Sequence, residues 1–395
     1  MARFALLPTP LAGHVTPTFA VAGELVRRGE QVTFHLPERF RDAVEATGAA
    51  LRPLRVPSPA HRGGDDPLLR LVQVPVALTR ASLSVLPQLL DPLGDDPPDV
   101  VVYDELSIWG RIVAGLLERP AAMVSTTYAM NERFSYLLPA MPEGTDGREI
   151  GRALDAFAAD MDVLAATYGT PRINLPDLFL HSEPLTIVFV PRHWQPEADT
   201  FGDRHLFVGP SLRPRDEPLD QELAAFLSEP AVFVSLGTVF NDWPEFYALC
   251  RQALAGMRVL LSGPAAGTAD GTRDELVRAH VPQRAVLDRA RVFVTHGGMN
   301  SVMEALSSGV PMLMVPRIPE QALTAERVVA AGAGLFLRQE ELTPAALRGA
   351  VERLATEPSY RRRALAEWES VSAGGGPPAA AAALSRYARG GRAVP

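Results

Sequence analysis

With 395 residues, 47% of them hydrophobic, the chain is long and apolar enough for two globular domains with full cores. A net charge of −8 argues against nucleic acid as the main partner, and a single cysteine, Cys250, excludes an internal disulfide and fits a reducing compartment. All 38 basic residues are arginine, which excludes the chemistries that need a lysine: a P-loop, a Schiff base, a kinase strand lysine. The opening MARFALLPTP is too short for a signal-peptide core and no apolar run reaches membrane-spanning length, so a cytoplasmic protein without stable membrane insertion is expected.

Taken in order, Arg3–Leu7 is a short apolar strand, followed by a loop, 8–16, that contains Gly13-His14. A helix is expected over 17–28, with Pro17 at its first position and Gly29 as its stop, and a strand over 31–36. This is the opening of a dinucleotide-binding fold, but without G-x-G-x-x-G. Residues 42–47 read as a helix and 51–56 as a strand; 58–66 is a polar Gly/Pro loop, and 68–90 is helical with proline interruptions. A strong strand, 100–103, ends at Asp104-Glu105; a helix over 108–117 and a strand over 122–125 follow. Residues 130–151 show no clear periodicity, whereas 152–168 is an amphipathic helix. Within that helix Asp160-Met161-Asp162 matches the D-x-D of metal-dependent sugar transferases, but it flanks a core methionine instead of ending a strand, and a solvated face is expected.

Strands are expected at 185–190 and 207–210, and Arg213–Leu219 is the best linker in the chain. The pattern then restarts: a helix at 222–227, a buried strand at 232–235, a helix at 244–254, a strand at 258–262, a helix near 285–290 and a strand at 292–295. That last strand runs into His296-Gly297-Gly298, a helix opening at about Asn300-Ser301 and carrying Glu304, and a strand at 312–315. A helix at 326–331, a strand at 334–337, two further helices and a last helix at 379–389 complete the chain.

A glycine turn at a helix N-terminus, with a histidine and small polar side chains, is a site for an anion, most plausibly phosphate. Ligands of parallel sheets bind at the carboxyl ends of strands, where His14, Asp104, Ser235, Gly263 and His296 all fall. His14 is either a solvated loop histidine or a general base, with Asp104 as its orienting partner or as a helix N-cap. Asn300 and Ser301 double as N-cap residues, and His296 as a core histidine. Trp109, Met130, Phe134, Tyr136 and Met141 either line an apolar pocket or fill an ordinary core; Tyr128 and Asn131 could orient an acceptor there.

The segment His296-Gly297-Gly298-Met299-Asn300-Ser301, with Glu304, resembles the donor motif of nucleotide-sugar glycosyltransferases of the GT-B fold, in the UDP-glycosyltransferase superfamily. Gly13-His14-Val15-Thr16-Pro17-Thr18 resembles the opening loop of the macrolide and natural-product branch. Tyr103-Asp104 with Trp109-Gly110-Arg111, Gln195-Pro196, Phe207-Val208-Gly209-Pro210, Val234–Thr238 and Val281-Pro282-Gln283 agree, in the expected order over nearly the whole chain. The resemblance implies two Rossmann-like β/α/β domains facing across a cleft: an acceptor domain at 1–210, a linker at 211–219, a donor domain at 220–375, and a helix at 376–395 crossing back to the first domain.

It also implies an inverting, metal-independent transfer of a sugar from a UDP- or dTDP-sugar to a hydroxyl of a hydrophobic natural product, a macrolide, polyketide or flavonoid. The nucleotide sugar is a co-substrate; no cofactor or metal is implied. His14 would be the base and Asp104 its partner. His296, Asn300 and Ser301, with the Gly297-Gly298 backbone, would hold the diphosphate; Ser235, Gly237, Thr238 and Gly263 would approach from the neighbouring strand ends. Val281 would bond the base, Gln283 and Glu304 the ribose, and Glu320 and Gln321 the transferred sugar. Two departures stand out: Glu320 replaces a frequent Asp, leaving sugar preference open, and His280 replaces a frequent base-stacking Trp, leaving uracil or thymine open. A monomer or homodimer is expected. A nucleotide-sugar epimerase of the same fold and a non-catalytic partner protein are the alternatives.

Overall fold

The computed structural model describes residues 1–57, 67–137, 147–212, 218–237, 241–267 and 273–390. The chain divides into two compact units, Met1–Arg213 with Ser372–Pro395, and Pro214–Val371. Most of the expected linker, 213–217, lies outside the described residues.

The first unit runs β1 (Arg3–Leu7), α1 (Ala12–Arg27), β2 (Gln31–Leu36), α2 (Arg41–Glu45), β3 (Ala50–Pro53), α3 (Pro67–Asp95), β4 (Val100–Asp104), α4 (Ile108–Leu116), β5 (Ala121–Ser125), α5 (Gly147–Tyr168), α6 (Leu175–Leu180), β6 (Leu185–Val188) and β7 (His205–Phe207). Its strands form a parallel sheet in the order β3-β2-β1-β4-β5-β6-β7. Both faces are covered, so β4 and β5 are continuous apolar runs that are buried throughout. Period-two alternation sorts the side chains of β1 and β4: Phe4, Leu6, Val100 and Val102 join the core beneath α1, and Ala5, Leu7, Val101 and Tyr103 join the opposite core against α3, α4 and α5.

Two helices differ from the sequence expectation. α3 is one helix of 29 residues with Pro75, Pro87 and Pro92 inside it, not a series of interrupted pieces. An interior proline costs roughly 3 kcal/mol, but Leu78, Val85, Leu86, Leu89 and Leu93 are each buried on one face, worth roughly 1.5–3 kcal/mol apiece. α1 begins at Ala12, so Pro17 lies inside it, and Gly13-His14 belongs to its first turn instead of to a loop. In α5 the D-x-D pair is only in part a solvated face: Asp162 is exposed and pairs with Arg172, whereas the half-buried Asp160 pairs with Arg80, and Met161 between them is buried.

The second unit runs α7 (Gln221–Phe226), β8 (Ala231–Ser235), α8 (Pro244–Ala253), β9 (Val259–Ser262), β10 (Glu275–Arg278), α9 (Gln283–Leu287), β11 (Ala290–Thr295), α10 (Met299–Ser307), β12 (Met312–Met314), α11 (Pro319–Ala330), β13 (Gly334–Phe336), α12 (Pro344–Thr356) and α13 (Pro358–Ser372). Its parallel sheet has the order β10-β9-β8-β11-β12-β13. At its centre Phe233 and Phe293, partners in register across β8 and β11, stack with centroids 4.9 Å apart, a geometry worth roughly 0.5–1.5 kcal/mol beyond area burial.

The last helix, α14 (Gly376–Ala388), belongs to the first unit. Its small face, Ala380, Ala381 and Ala383 with Leu384, packs into the core beneath α1. The buried Glu30 carboxylate fastens it, accepting from the Ala2 N–H and from Arg389, each at 2.6 Å. Among the described residues no helix is long and apolar enough to cross a membrane.

Candidate active site

In each sheet the strand order reverses once at the centre, between β1 and β4 and between β8 and β11. The carboxyl ends at such a reversal are where open α/β sheets bind ligands.

In the first unit the reversal holds His14 and Asp104. Asp104 is the last residue of β4, and alternation sends it to the α1 side, with Val100 and Val102. It is fully buried. Its Oδ1 accepts from His14 Nδ1 at 3.1 Å, from the Thr9 hydroxyl at 3.0 Å and from the Leu106 N–H at 2.9 Å, and Oδ2 accepts from the Thr9 N–H. Burial pushes this carboxyl up, but the charge and hydrogen bond of His14 and the N–H groups of Thr9 and Leu106 outweigh it and hold it below the usual range. Asp104 is not a helix cap; Ser107 stands at the N-cap of α4 and bonds the Leu7 carbonyl instead. An ionised carboxylate can only accept, so it holds the His14 proton on Nδ1 and makes Nε2 the nitrogen that takes a proton. His14 itself is fixed by the first turn of α1, its N–H bonded to the Leu11 carbonyl at 2.9 Å, with 17% of its side chain exposed.

In the second unit the reversal holds His296. β11 ends at Thr295, and the nine-residue helix α10 starts at Met299, capped by Gly298, so Asn300 and Ser301 lie inside its first turn instead of at the cap. Gly297 adopts φ +90°, which favours glycine. A Cβ on Gly298 would come 2.7 Å from His296 Nε2, and one on Gly237 2.7 Å from Cε1, so bare backbone of two glycines lies against the Cε1–Nε2 edge of the imidazole. Burial, reinforced by the Arg317 charge, lowers the His296 pKa to about 4, leaving a neutral ring at pH 7. Ser235 ends β8, and its Oγ accepts from the Gly237 N–H at 3.3 Å. Gly263 follows β9. Gln283, at the start of α9, donates to Ser301 Oγ at 3.1 Å and to Glu304 Oε2 at 2.7 Å. Val281 beside it is buried and His280 exposed; Gln321 is buried with Oε1 accepting the Arg317 N–H at 2.9 Å, and Glu320 is half-buried. Thr238 lies outside the described residues.

A family model described as UDP-glucoronosyl and UDP-glucosyl transferase matches residues 185–367. NDP-glycosyltransferase YjiC of Bacillus subtilis is 32% identical over 98% of this chain and 97% of its own length. The chain belongs to this family of glycosyltransferases. Demethyllactenocin mycarosyltransferase of Streptomyces fradiae is 31% identical over 96% of this chain and 85% of its own. Among solved structures, the glycotransferase of kitacinnamycin is 31% identical, with a TM-score of 0.80 over 100% of this chain and 99% of that one. The fold is accordingly GT-B, and the glycosyltransferase draws on a nucleotide-sugar donor.

The expected acceptor residues of the glycosyltransferase divide. Trp109 is 1% exposed and packs in the core with α3 and α5, which corrects its reading as a pocket residue: α4 turns it inward, beneath the sheet. Tyr128 and Met130 are also buried. Asn131 uses its carboxamide to fix its own turn, accepting from the Arg133 and Phe134 N–H groups and donating to Thr200. Phe134 and Tyr136 form a half-buried ring pair, 6.4 Å between centroids. Met141 lies outside the described residues.

Two residues of interest escaped the sequence reading. Arg317, three residues past β12, lies over the Trp243 ring at 4.8 Å, near His296; its place after a central strand was the available signal. Glu105 joins His14 and Asp104 in a cluster whose ligand-type atoms all lie within 4.8 Å of one another. Such a trio could hold a cation, but the Asp104 oxygens already take four protein donors, which suits proton chemistry better.

Proposed function

We propose that the enzyme moves a sugar, with inversion, from a UDP- or dTDP-sugar to a hydroxyl of a hydrophobic natural product, with His14 as general base. The observation that carries this reading is the His14–Asp104 pair: an imidazole fixed by a helix, its Nδ1 bonded at 3.1 Å to a buried carboxylate. Nε2 takes the acceptor's hydroxyl proton as the oxygen attacks the anomeric carbon. The bond from that carbon to the phosphate oxygen breaks on the opposite side, and the nucleotide diphosphate leaves with the electron pair. A positioned base is worth roughly 10²–10⁴-fold in rate.

For the leaving group, the second unit offers the α10 N-terminus, the Gly297-Gly298 backbone and the neutral His296, which would hold the diphosphate with Asn300 and Ser301. Gln283 and Glu304 would take the ribose, Val281 the base, and Glu320 and Gln321 the sugar. Support for the acceptor class comes from the relatives: the Streptomyces fradiae enzyme is named for demethyllactenocin, and the solved structure for kitacinnamycin.

His14→Ala tests the reading. Transfer to a hydroxyl acceptor, followed by mass spectrometry, is expected to be lost while calorimetric binding of UDP or dTDP is kept; unchanged turnover would remove His14 from the mechanism.

A further inference from the structure

Glu105 is a half-buried acid that takes no part in the proposed transfer step. Strand alternation would carry it away from Asp104, but β4 ends at Asp104, and the turn that follows brings a Glu105 oxygen within 4.8 Å of both a His14 nitrogen and an Asp104 oxygen. Thr126, just past β5, donates its hydroxyl to Oε1 at 3.2 Å. Oε2 is buried with no hydrogen-bond partner. A buried, unpaired oxygen is costly on a carboxylate and much less so on a neutral carboxyl, which can also donate, and the partial exposure of the residue leaves its carboxyl a route to water. Among the described residues the titratable groups acting on Glu105 are His14 from α1 and Asp104 from β4; its own backbone N–H and the Thr126 hydroxyl, just past β5, favour the ionised form. Burial pushes its pKa up to about 7, His14 opposing and the Asp104 charge assisting.

We propose that Glu105 is a positioning residue for the base, sharing one exchangeable proton with His14 and releasing it when His14 takes the proton of the acceptor hydroxyl. The proposal rests on the reading of His14 as base. Before transfer the cluster holds neutral His14, protonated Glu105 and ionised Asp104. During transfer the acceptor O–H breaks and the Nε2–H forms, while the Glu105 O–H breaks and its proton passes to water. The cluster charge is −1 before and after, and the imidazolium forms between two carboxylates. The proton on His14 then passes to Glu105 and resets the site. A neutral Glu105 keeps the imidazole unprotonated while it waits; an ionised Glu105 stabilises the imidazolium once it forms.

Glu105→Gln keeps the size and the Thr126 contact but cannot ionise. Two readouts are taken: NMR titration of the His14 ring in the full-length enzyme, and the pH profile of kcat/KM. In the wild type the His14 titration is expected to be broad and two-stepped. In E105Q it becomes a single step with its midpoint lower by about one pH unit, and the acid limb of kcat/KM moves with it. The plateau kcat falls by about tenfold, at unchanged donor KM, and Glu105→Asp restores both the two-step titration and the rate. An unmoved His14 titration in E105Q overturns the proposal, as does an E105D enzyme that behaves like E105Q. So does activity that rises with added Mg²⁺ or Mn²⁺ in the wild type but not in E105Q, which would make Glu105 a metal ligand. The NMR readout needs no turnover, so coupling seen by NMR together with an active His14→Ala enzyme would sink the base reading and leave the shared proton standing.

Discussion

Each unit sets one histidine beside the point where its strand order reverses, and the two histidines have opposite surroundings. His14 has a buried carboxylate on Nδ1 and 17% of its side chain exposed, the surroundings that the proposed base requires. His296 is 8% exposed, flanked by glycine backbone and faced by Arg317, so a proton there is disfavoured and the ring remains a neutral hydrogen-bonding group. The same sheet position thus carries an imidazole paired with a carboxylate in one unit and, in the other, one kept neutral by burial and by the Arg317 charge, which is the contrast the proposed roles of base and anion ligand rest on.

The largest way to break this contrast is to remove the anion from the first site. Asp104→Asn keeps the shape but can no longer hold the His14 proton on Nδ1 by charge. Steady-state kinetics should show kcat lower by roughly 10²–10⁴-fold, with nucleotide diphosphate affinity unchanged by calorimetry. Unfolding should cost roughly 1–3 kcal/mol less, because the Thr9 N–H loses its charged acceptor. A kcat within twofold of the wild type would show that the carboxylate does not define the base.

The second site is broken by His296→Gln, which should weaken UDP or dTDP binding about tenfold, the worth of one good hydrogen bond to an anion; equal affinity would refute the phosphate role. Stability gives an independent reading. The folded pKa of about 4 lies below the ordinary 6.5, so the contribution of His296 is full above pH 6.5 and is lost as pH falls through about 4. That loss amounts to about 3 kcal/mol. His35, buried in β2 and also lowered to about 4 by burial and by Arg52, titrates the same way, so the wild-type and mutant unfolding curves must be subtracted to isolate His296. A difference that stays flat between pH 7 and 4 would show that the ring is not kept neutral by the fold.

Much of this architecture was legible because buried parallel strands announce themselves: VVVY, AVFV and VFV are apolar runs, and Asp104, Ser235 and His296 of the candidate site stand at or just past their ends. What failed to show has physical causes. Pro17 looked like a helix start, because proline favours the first position, but burial of Val15, Phe19 and Val21 extends α1 back to Ala12 and puts His14 on the helix. The edge strand β10, ELVR, is too mixed in polarity to stand out, and pairing with β9 alone defines it. Glu105 was invisible for a different reason: period-two alternation separates neighbours on a strand, and only the turn at its end brings two adjacent acids to one imidazole.

The smallest expected effect lies beside His296 and sharpens what that site grips. Gln283 spans α9 and α10 through its donations to Ser301 and Glu304. If this network takes the ribose, Gln283→Ala should weaken UDP or dTDP binding about fivefold, or roughly 1 kcal/mol for one lost hydrogen bond. Inorganic pyrophosphate, which has no ribose, should bind the variant and the wild type alike. His296→Gln should instead weaken both probes. Calorimetry with the two probes on the two variants therefore separates the ribose end of the donor site from its phosphate end. If pyrophosphate weakened as much as the nucleotide in Gln283→Ala, the network would be bracing the α10 N-terminus for the phosphates instead of holding a sugar hydroxyl.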